Sequence, residues 1–262
     1  MTEIQSKSNE GLKRLTELAR SKHARDQKGV ALVDGGKLCL DAVRTGHSLL
    51  ELWITEYAYQ KEPEQAQQLC AAAEEIFLLK GSAADRISDL KSPQGIWGVF
   101  RRPAFASPES LYTASRVLGI AEIQNPENAG AMIRTASALG YDGIIVSSET
   151  ADLWSPRVLR AGALAQFNIP IAFTDDLVRI VVSMKEAGFL TCASALDENA
   201  SSVQEIPSEG KIFILIGNEG HGLPADLIKA CEQSVYLPMS NGVDSLNANA
   251  AAAILMWELR RK

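Results

Sequence analysis

Apolar residues recur along the chain in two rhythms. Short continuous runs rich in Val, Ile and Leu stand at Val30–Val33, Leu50–Thr55, Ile76–Leu79, Ile96–Phe100, Val117–Ile123, Ile144–Val146, Ile169–Phe173, Leu190–Ala193 and Ile212–Ile216. Runs of this kind predict strands, and uninterrupted ones predict strands covered on both faces. Between them the apolar positions take helical spacing or helical composition, at Leu12–Ala19, Gly36–Arg44, Glu64–Ala73, Ala83–Leu90, Ala129–Leu139 and Asp176–Ala187. In the second helix-strand series, Asn128 is a candidate N-cap for Ala129–Leu139 and Gly140 its stop. The alternation predicts an α/β fold: a small α/β sandwich first, then serial βα units with a mostly parallel sheet.

The rhythm breaks after Arg101-Arg102, where Pro103 and Pro108 deny both helix and ladder. This places a first domain at 1–103, a linker at 104–110 and a second domain at 111–262. A chain of 262 residues has room for both.

Charge changes the picture by its distribution. The net charge of −6 counts mildly against a nucleic-acid partner. Residues 1–105 are nearly balanced, with 15 Lys/Arg against 14 Asp/Glu, and residues 106–262 carry the acidic excess. Within the balanced part, Lys13 to Lys28 forms a basic stretch that includes Arg14, Arg20, Lys22, Arg25 and Lys28. Such a run is either a solvated helix face or a surface that contacts RNA phosphates. The four cysteines have no metal-ligand spacing, and Cys39 and Cys192 sit among apolar neighbours as reduced thiols. Met1–Glu10 is polar, without a signal-peptide pattern, and no apolar run is long enough to span a membrane. A cytosolic, soluble protein without a bound metal is expected.

The most informative stretch is Lys211 to Asn249. The run Ile212–Ile216 ends in Gly217-Asn218-Glu219-Gly220-His221-Gly222, a turn whose backbone can approach a ligand closely. A short strand, Val235-Tyr236-Leu237, follows and stops at Pro238; Asn241-Gly242 marks a loop, and Ser245 is a candidate N-cap for an alanine-rich C-terminal helix. The glycine spacing fits neither a P-loop nor a dinucleotide fingerprint. Backbone groups at Gly217, Asn218 and Gly220, with an apolar slot at Leu237, Met239 and Leu246, suit a nucleoside without phosphates, such as S-adenosylmethionine. Taken alone, a Gly-rich turn after a strand is only a turn.

Three ordered motifs make the reading specific: Ile123 to Val146 (IQNPENAGAMIRTASALGYDGIIV), IGNEGHGLP, and LPM followed by SLN. Together they resemble the SpoU (TrmH) family of RNA 2′-O-methyltransferases, of the SPOUT class. KHARDQKGVALVDGGKLCLDAV and SPQGIWGVFRRP resemble the substrate-binding domain fused to many of its members, a small ribosomal-protein-like RNA-binding fold. The resemblance implies a C-terminal trefoil knot, S-adenosylmethionine as cofactor, a homodimer, and a structured RNA substrate. Ribosomal RNA of the large subunit is the first expectation and transfer RNA the second. It implies that Asn128, Arg134, Glu219, Ser245 and Asn247 line the active pocket. Backbone groups around Gly217, Leu237 and Leu246 would hold the cofactor.

The chain departs from the family pattern in places. Ala31 and Asp34 stand where an aromatic residue and a glutamate are usual, and Asn249 where serine or alanine is frequent. After Arg160-Ala161, Gly162 replaces a common serine and Leu164 a frequent glycine, so altered local packing is expected there. Two roles stay open for Arg134: a base forced by its surroundings, or a clamp on the phosphate beside the target ribose while Glu219 and water manage the proton. A catalytically inactive RNA-binding protein and a base methyltransferase are the rival readings.

Overall fold

Most of the apolar runs become strands covered on both sides, whereas Ile76, Phe77 and Leu78 are only half-buried. The computed structural model describes the chain apart from residues 7, 85, 86, 88–92, 198, 208, 241–245, 261 and 262. The described chain divides into two compact units, Met1–Pro103 with Trp154–Phe167, and Ala104–Leu153 with Asn168–Lys262.

The first unit contains β1 (Thr2–Ile4), α1 (Glu10–Arg20), α2 (Lys22–Lys28), β2 (Val30–Asp34), α3 (Gly36–Arg44), β3 (Leu49–Thr55), α4 (Glu56–Lys61), α5 (Pro63–Ala72), β4 (Glu75–Leu79) and β5 (Ile96–Arg101). Its mixed sheet has the order β1-β4-β3-β5-β2. Strands β1, β4 and β3 run parallel, and β5 runs antiparallel to β3 and β2. Trp53 and Trp97 are register partners at its centre and are fully buried with Leu15 and Leu18 of α1.

The basic stretch is two helices, not one. Ser21 ends α1 and caps α2, its hydroxyl accepting from Ala24 N at 3.2 Å. The helix expected at Ala83–Leu90 begins as a short 3₁₀ turn, Gly81–Ala84, and most of the remainder lies outside the described residues.

The second unit holds β6 (Arg116–Ile120), α6 (Pro126–Ala138) and β7 (Gly143–Ser147). The chain then passes through α7 (Pro156–Ala161), which packs on β2 in the first unit. There Phe167 lies against the rings of His47 and Trp154, at 4.8 and 5.3 Å. Arg160 pairs with the buried Asp34 at 3.5 Å. The irregular Gly162–Leu164 segment has a physical signature: Ala163 and Leu164 adopt left-handed backbone, at φ 45° and 64°. Glycine would take that conformation at no steric cost, whereas Leu164 takes it with its side chain buried.

The second unit continues with β8 (Ile171–Thr174), α8 (Leu177–Glu186), β9 (Phe189–Ser194), β10 (Ser201–Ser202), β11 (Lys211–Ile216), α9 (Ala225–Ala230), β12 (Gln233–Tyr236) and α10 (Ala248–Glu258). All seven strands are parallel, in the order β10-β12-β9-β11-β6-β7-β8. Along them, Val117, Ile145, Ala193, Phe213 and Leu215 join the cluster with α8, while Leu118, Ile144, Cys192 and Ile214 are buried on the opposite face. Helices α6 and α10 pack on each other. Among the described residues no helix is long and apolar enough to cross a membrane.

Candidate active site

The chain extends the sheet one way through β6, β7 and β8, then returns to place β9 and β11 on the other side of β6. Ligands of open parallel sheets bind outside the carboxyl ends of strands at such a reversal. Here Ile120 and Ile216, the last residues of β6 and β11, are register partners, so the loops that follow emerge side by side.

The loop after β11 folds back sharply. Asn218 and Gly222 exchange both backbone hydrogen bonds, at 3.1 and 3.0 Å. A Cβ on Gly217 would lie 2.4 Å from the Gly222 carbonyl carbon, so only glycine permits this fold-back. The Asn218 side chain ties the turn internally and externally. Its Oδ1 accepts from Gly220 N at 2.8 Å, and its Nδ2 donates to the Glu122 carbonyl at 2.7 Å. Glu122 has φ 56°, a strained conformation for a side-chain-bearing residue, and its N–H donates to Ser147 Oγ at 3.0 Å.

Glu219 makes the second tie between the loops. Its Oε1 accepts from Asn128 Nδ2 at 3.0 Å and Asn125 N at 3.2 Å, and its Oε2 accepts from Gln124 N at 3.3 Å. Burial works to raise the pKa of this carboxyl. The hydrogen bonds from Asn128 and from backbone N–H groups outweigh it and hold the group below the usual glutamate range. Glu219 is therefore an ionised acceptor and a weak base.

The expected cap at Asn128 is corrected: Asn125 caps α6, accepting from Glu127 N at 2.8 Å. Pro126 favours the first helical position, so the helix starts earlier and Asn128 lies within its first turn, buried at 7% exposure. Arg134 projects from the same helix with its side chain exposed, while Ile133 and Ala136 are fully buried. Among the described residues no ion pair holds Arg134.

Helix α10 also starts later than expected. Its N-cap is Asn247, whose Oδ1 accepts from Asn249 N at 3.0 Å; the expected cap, Ser245, lies outside the described residues. The far end of α10 is tied down by Arg116, a fully buried arginine in β6. Its Nε donates to the Leu259 carbonyl at 2.6 Å, and its Nη1 donates to the carbonyls of Ser115 and Gly210.

An apolar cleft of about 210 Å³ opens past the ends of β9 and β12. Leu237, Met239 and Leu246 line it, joined by Leu196, Ala251 and Leu255. Gly217, Asn218 and Gly220 build the neighbouring turn and are not part of the cleft wall. Ala251 and Leu255, read in the sequence only as parts of an alanine-rich helix and its apolar end, lie four residues apart on one face of α10. Leu196 carried no signal.

In the first unit the expected RNA contacts divide. Lys22 and Lys28 are exposed. Two of the expected contacts are engaged within the fold. Arg25 is only 2% exposed and donates to the Leu18 carbonyl, closing the junction of α1 and α2. Arg14 is held by Glu51 at 2.7 Å, with the Trp53 indole N–H on the same carboxylate. Basic residues at helical spacing could not reveal which of them the fold consumes.

A parallel-sheet domain with a stitched loop pair and an apolar cleft at its carboxyl edge defines an open α/β protein built on a seven-stranded parallel sheet. Comparison with known proteins makes this specific. The SpoU rRNA Methylase family profile matches residues 115–257, and an MRM3-like substrate binding domain matches residues 9–98. The chain is 30% identical over 260 residues to the 23S rRNA (guanosine(2553)-2′-O)-methyltransferase RlmP of Bacillus subtilis, covering 99% of this chain and all of the relative. It is 26% identical to the mitochondrial rRNA methyltransferase 3 of Xenopus laevis, covering 96% of this chain and 74% of the relative. The crystal structure of an AdoMet-bound rRNA methyltransferase from Sinorhizobium meliloti superposes with a TM-score of 0.83 at 27% identity, over 98% of this chain and 97% of that one. The chain belongs to the SpoU rRNA methylase family.

Proposed function

We propose that this protein transfers a methyl group from S-adenosylmethionine to a ribose 2′-hydroxyl of large-subunit ribosomal RNA. The observation that carries the reading is the Glu219–Asn128 tie, which joins two family motifs 91 residues apart at the carboxyl edge of the sheet. Full-length similarity to an enzyme named for ribose methylation of 23S rRNA supports the substrate class.

The cleft suits the cofactor chemically: an apolar wall at Leu237, Met239, Leu246 and Leu255 can face an adenine and its ribose. When bound, the cofactor supplies an electrophilic sulfonium methyl. The chain's own residues then have to hold the target ribose and assist its hydroxyl. Glu219, engaged by three neighbouring donors and held below its ordinary pKa, fixes the loops instead of taking the proton. Arg134 is exposed and offers five N–H donors but no acceptor, which supports the phosphate-clamp role. The ribose proton then passes to water. Asn128 and Asn247 orient the site, and Ser245 belongs to the same motif set.

Lys22 and Lys28 contribute phosphate contacts from the first unit, in a two-domain enzyme whose first domain, near 1–103, also takes in Trp154–Phe167. A threaded C-terminal segment, a homodimer through the exposed Ile254 and Trp257 of α10, and a cytoplasmic site of action complete the proposal. The test is mass-spectrometric mapping of ribose methylation in ribosomal and transfer RNA with and without the gene. The proposal expects one 2′-O-methyl group to disappear from large-subunit RNA; its persistence overturns the substrate assignment.

A further inference from the structure

We infer that the groove between the start of α3 and helices α4 and α5 holds an unpaired nucleotide of the RNA substrate. The inference rests on the RNA-methyltransferase reading and locates a contact that the basic stretch at Lys13–Lys28 does not supply. The groove encloses about 460 Å³ and is lined by Lys37, Tyr57, Lys61, Glu62, Gln65 and Gln94, among others. A volume of this size is within the range of small-molecule sites and accommodates one nucleotide.

The groove's chemistry is that of single-strand recognition, in which an unstacked base lies on an aromatic ring, its edge meets polar side chains, and lysines take the phosphates. Tyr57 is 70% exposed, an uncommon state for a large aromatic side chain without a partner surface. Lys61 Nζ lies 5.7 Å from its ring centroid. Lys37 and Lys61 are both exposed, and among the described residues neither belongs to an ion pair. Two amides converge between them. Gln94 Oε1 accepts from Gly36 N at 3.0 Å, which fixes the carbonyl and leaves the NH₂ group to donate. A Cβ on Gly36 would lie 2.1 Å from Gln65 Oε1, so the glycine is what lets the second amide reach the same point. Glu62 adds an acceptor for a base amino group. The groove thus has a stacking ring, two cations and base-edge donors and acceptors within one cavity.

The test uses the full-length protein and in vitro transcribed large-subunit ribosomal RNA, with RNA affinity, methyl incorporation and S-adenosylmethionine affinity measured in parallel. Tyr57→Ala is expected to weaken RNA binding about tenfold, the scale of one lost stacking contact, while Tyr57→Phe restores it. The Lys37→Ala/Lys61→Ala pair is expected to reduce the slope of log affinity against log salt by about 1.4, as for two lost phosphate contacts on a single strand. Cofactor affinity should stay at the wild-type level in every variant. Wild-type RNA affinity and salt slope in Tyr57→Ala and the double lysine variant, with methylation intact, would overturn the groove and leave the enzymatic reading standing. Failure of the wild-type protein to bind or methylate the RNA would overturn both.

Discussion

Replacing Glu219 with glutamine separates a loop clamp from a catalytic base. The carboxylate accepts three hydrogen bonds from the neighbouring loop and α6, at 3.0, 3.2 and 3.3 Å. A glutamine oxygen at the Oε1 position keeps the bonds from Asn125 and Asn128 but weakens them, because bonds to an ionised acceptor are about twice as strong as neutral ones. The glutamine NH₂ then faces the Gln124 N–H, donor against donor, and that bond is lost. With about 1.5–3 kcal/mol for each charged bond in a dry setting, and a discount for the exposed position of Glu219, roughly 1–2 kcal/mol of loop order should go. That corresponds to a roughly 5- to 30-fold fall in kcat/KM. Steady-state methyl transfer between pH 6 and 9 is the assay, and the clamp predicts an unchanged profile shape. Because the folded-state pKa is depressed, the stabilisation is present above the unfolded pKa, about 4.3. It is lost only as pH falls through the lower folded value. A loss of a thousandfold or more, with disappearance of a titrating limb in the assayed range, would refute the clamp and restore Glu219 as the base. No loss at all would refute the tie.

Arg134→Ala is expected to abolish methyl transfer with cofactor affinity nearly unchanged by calorimetry; in Arg134→Lys, residual activity with a flat pH–rate profile supports the clamp and a rising one the base. Arg116→Met removes the buried donor from the Leu259 and Gly210 carbonyls, and should cost roughly 3–6 kcal/mol in denaturant unfolding. A variant within 1 kcal/mol of wild type, as an order-of-magnitude threshold, would count against the tie. Ala163→Gly relaxes an exposed residue at φ 45° and should stabilise by up to about 1 kcal/mol, raising Tm by roughly 2–4 °C. A fall in Tm would show that the left-handed strain there is already relieved.

Strands were the most legible part of the fold, because an apolar run flanked by turn residues has few other uses. Ile144–Val146 and Ile212–Ile216 lie inside β7 and β11. Helix starts were less legible. Asn125, Asn128, Ser245 and Asn247 are all competent caps by side chain, and only backbone geometry distinguishes the ones that cap. The motifs located the loops that carry Glu219 and Leu237 and the helix that carries Asn128. They could not show that Asn218 and Glu219 engage partners 91 to 96 residues away, since pairing at that separation is set by the sheet order. The basic stretch was only partly legible for a related reason. Charge count is a property of sequence, whereas the burial of Arg25 and the Glu51 partner of Arg14 come from how α1 meets its neighbours.

The sheet order also explains why the site needs a buried charge far from its chemistry. Strand β11 enters between β6 and β9, so the loops that Glu219 joins become neighbours only once that insertion is complete. One wall of the apolar cleft comes from α10, which follows later still in the chain. Helix α10 is held against α6 by the buried Ala252, Leu255 and Met256. Directional contacts add to this at its far end: Tyr141 donates to the Met256 carbonyl at 3.3 Å, and Arg116 grips the Leu259 carbonyl. Burying a guanidinium is costly, and here three carbonyl acceptors offset that cost. An apolar residue in its place would pack but leave those carbonyls without a donor. The arginine in β6 therefore holds the carbonyl at which the C-terminal helix ends, and that same helix supplies Ala251 and Leu255 to the cleft.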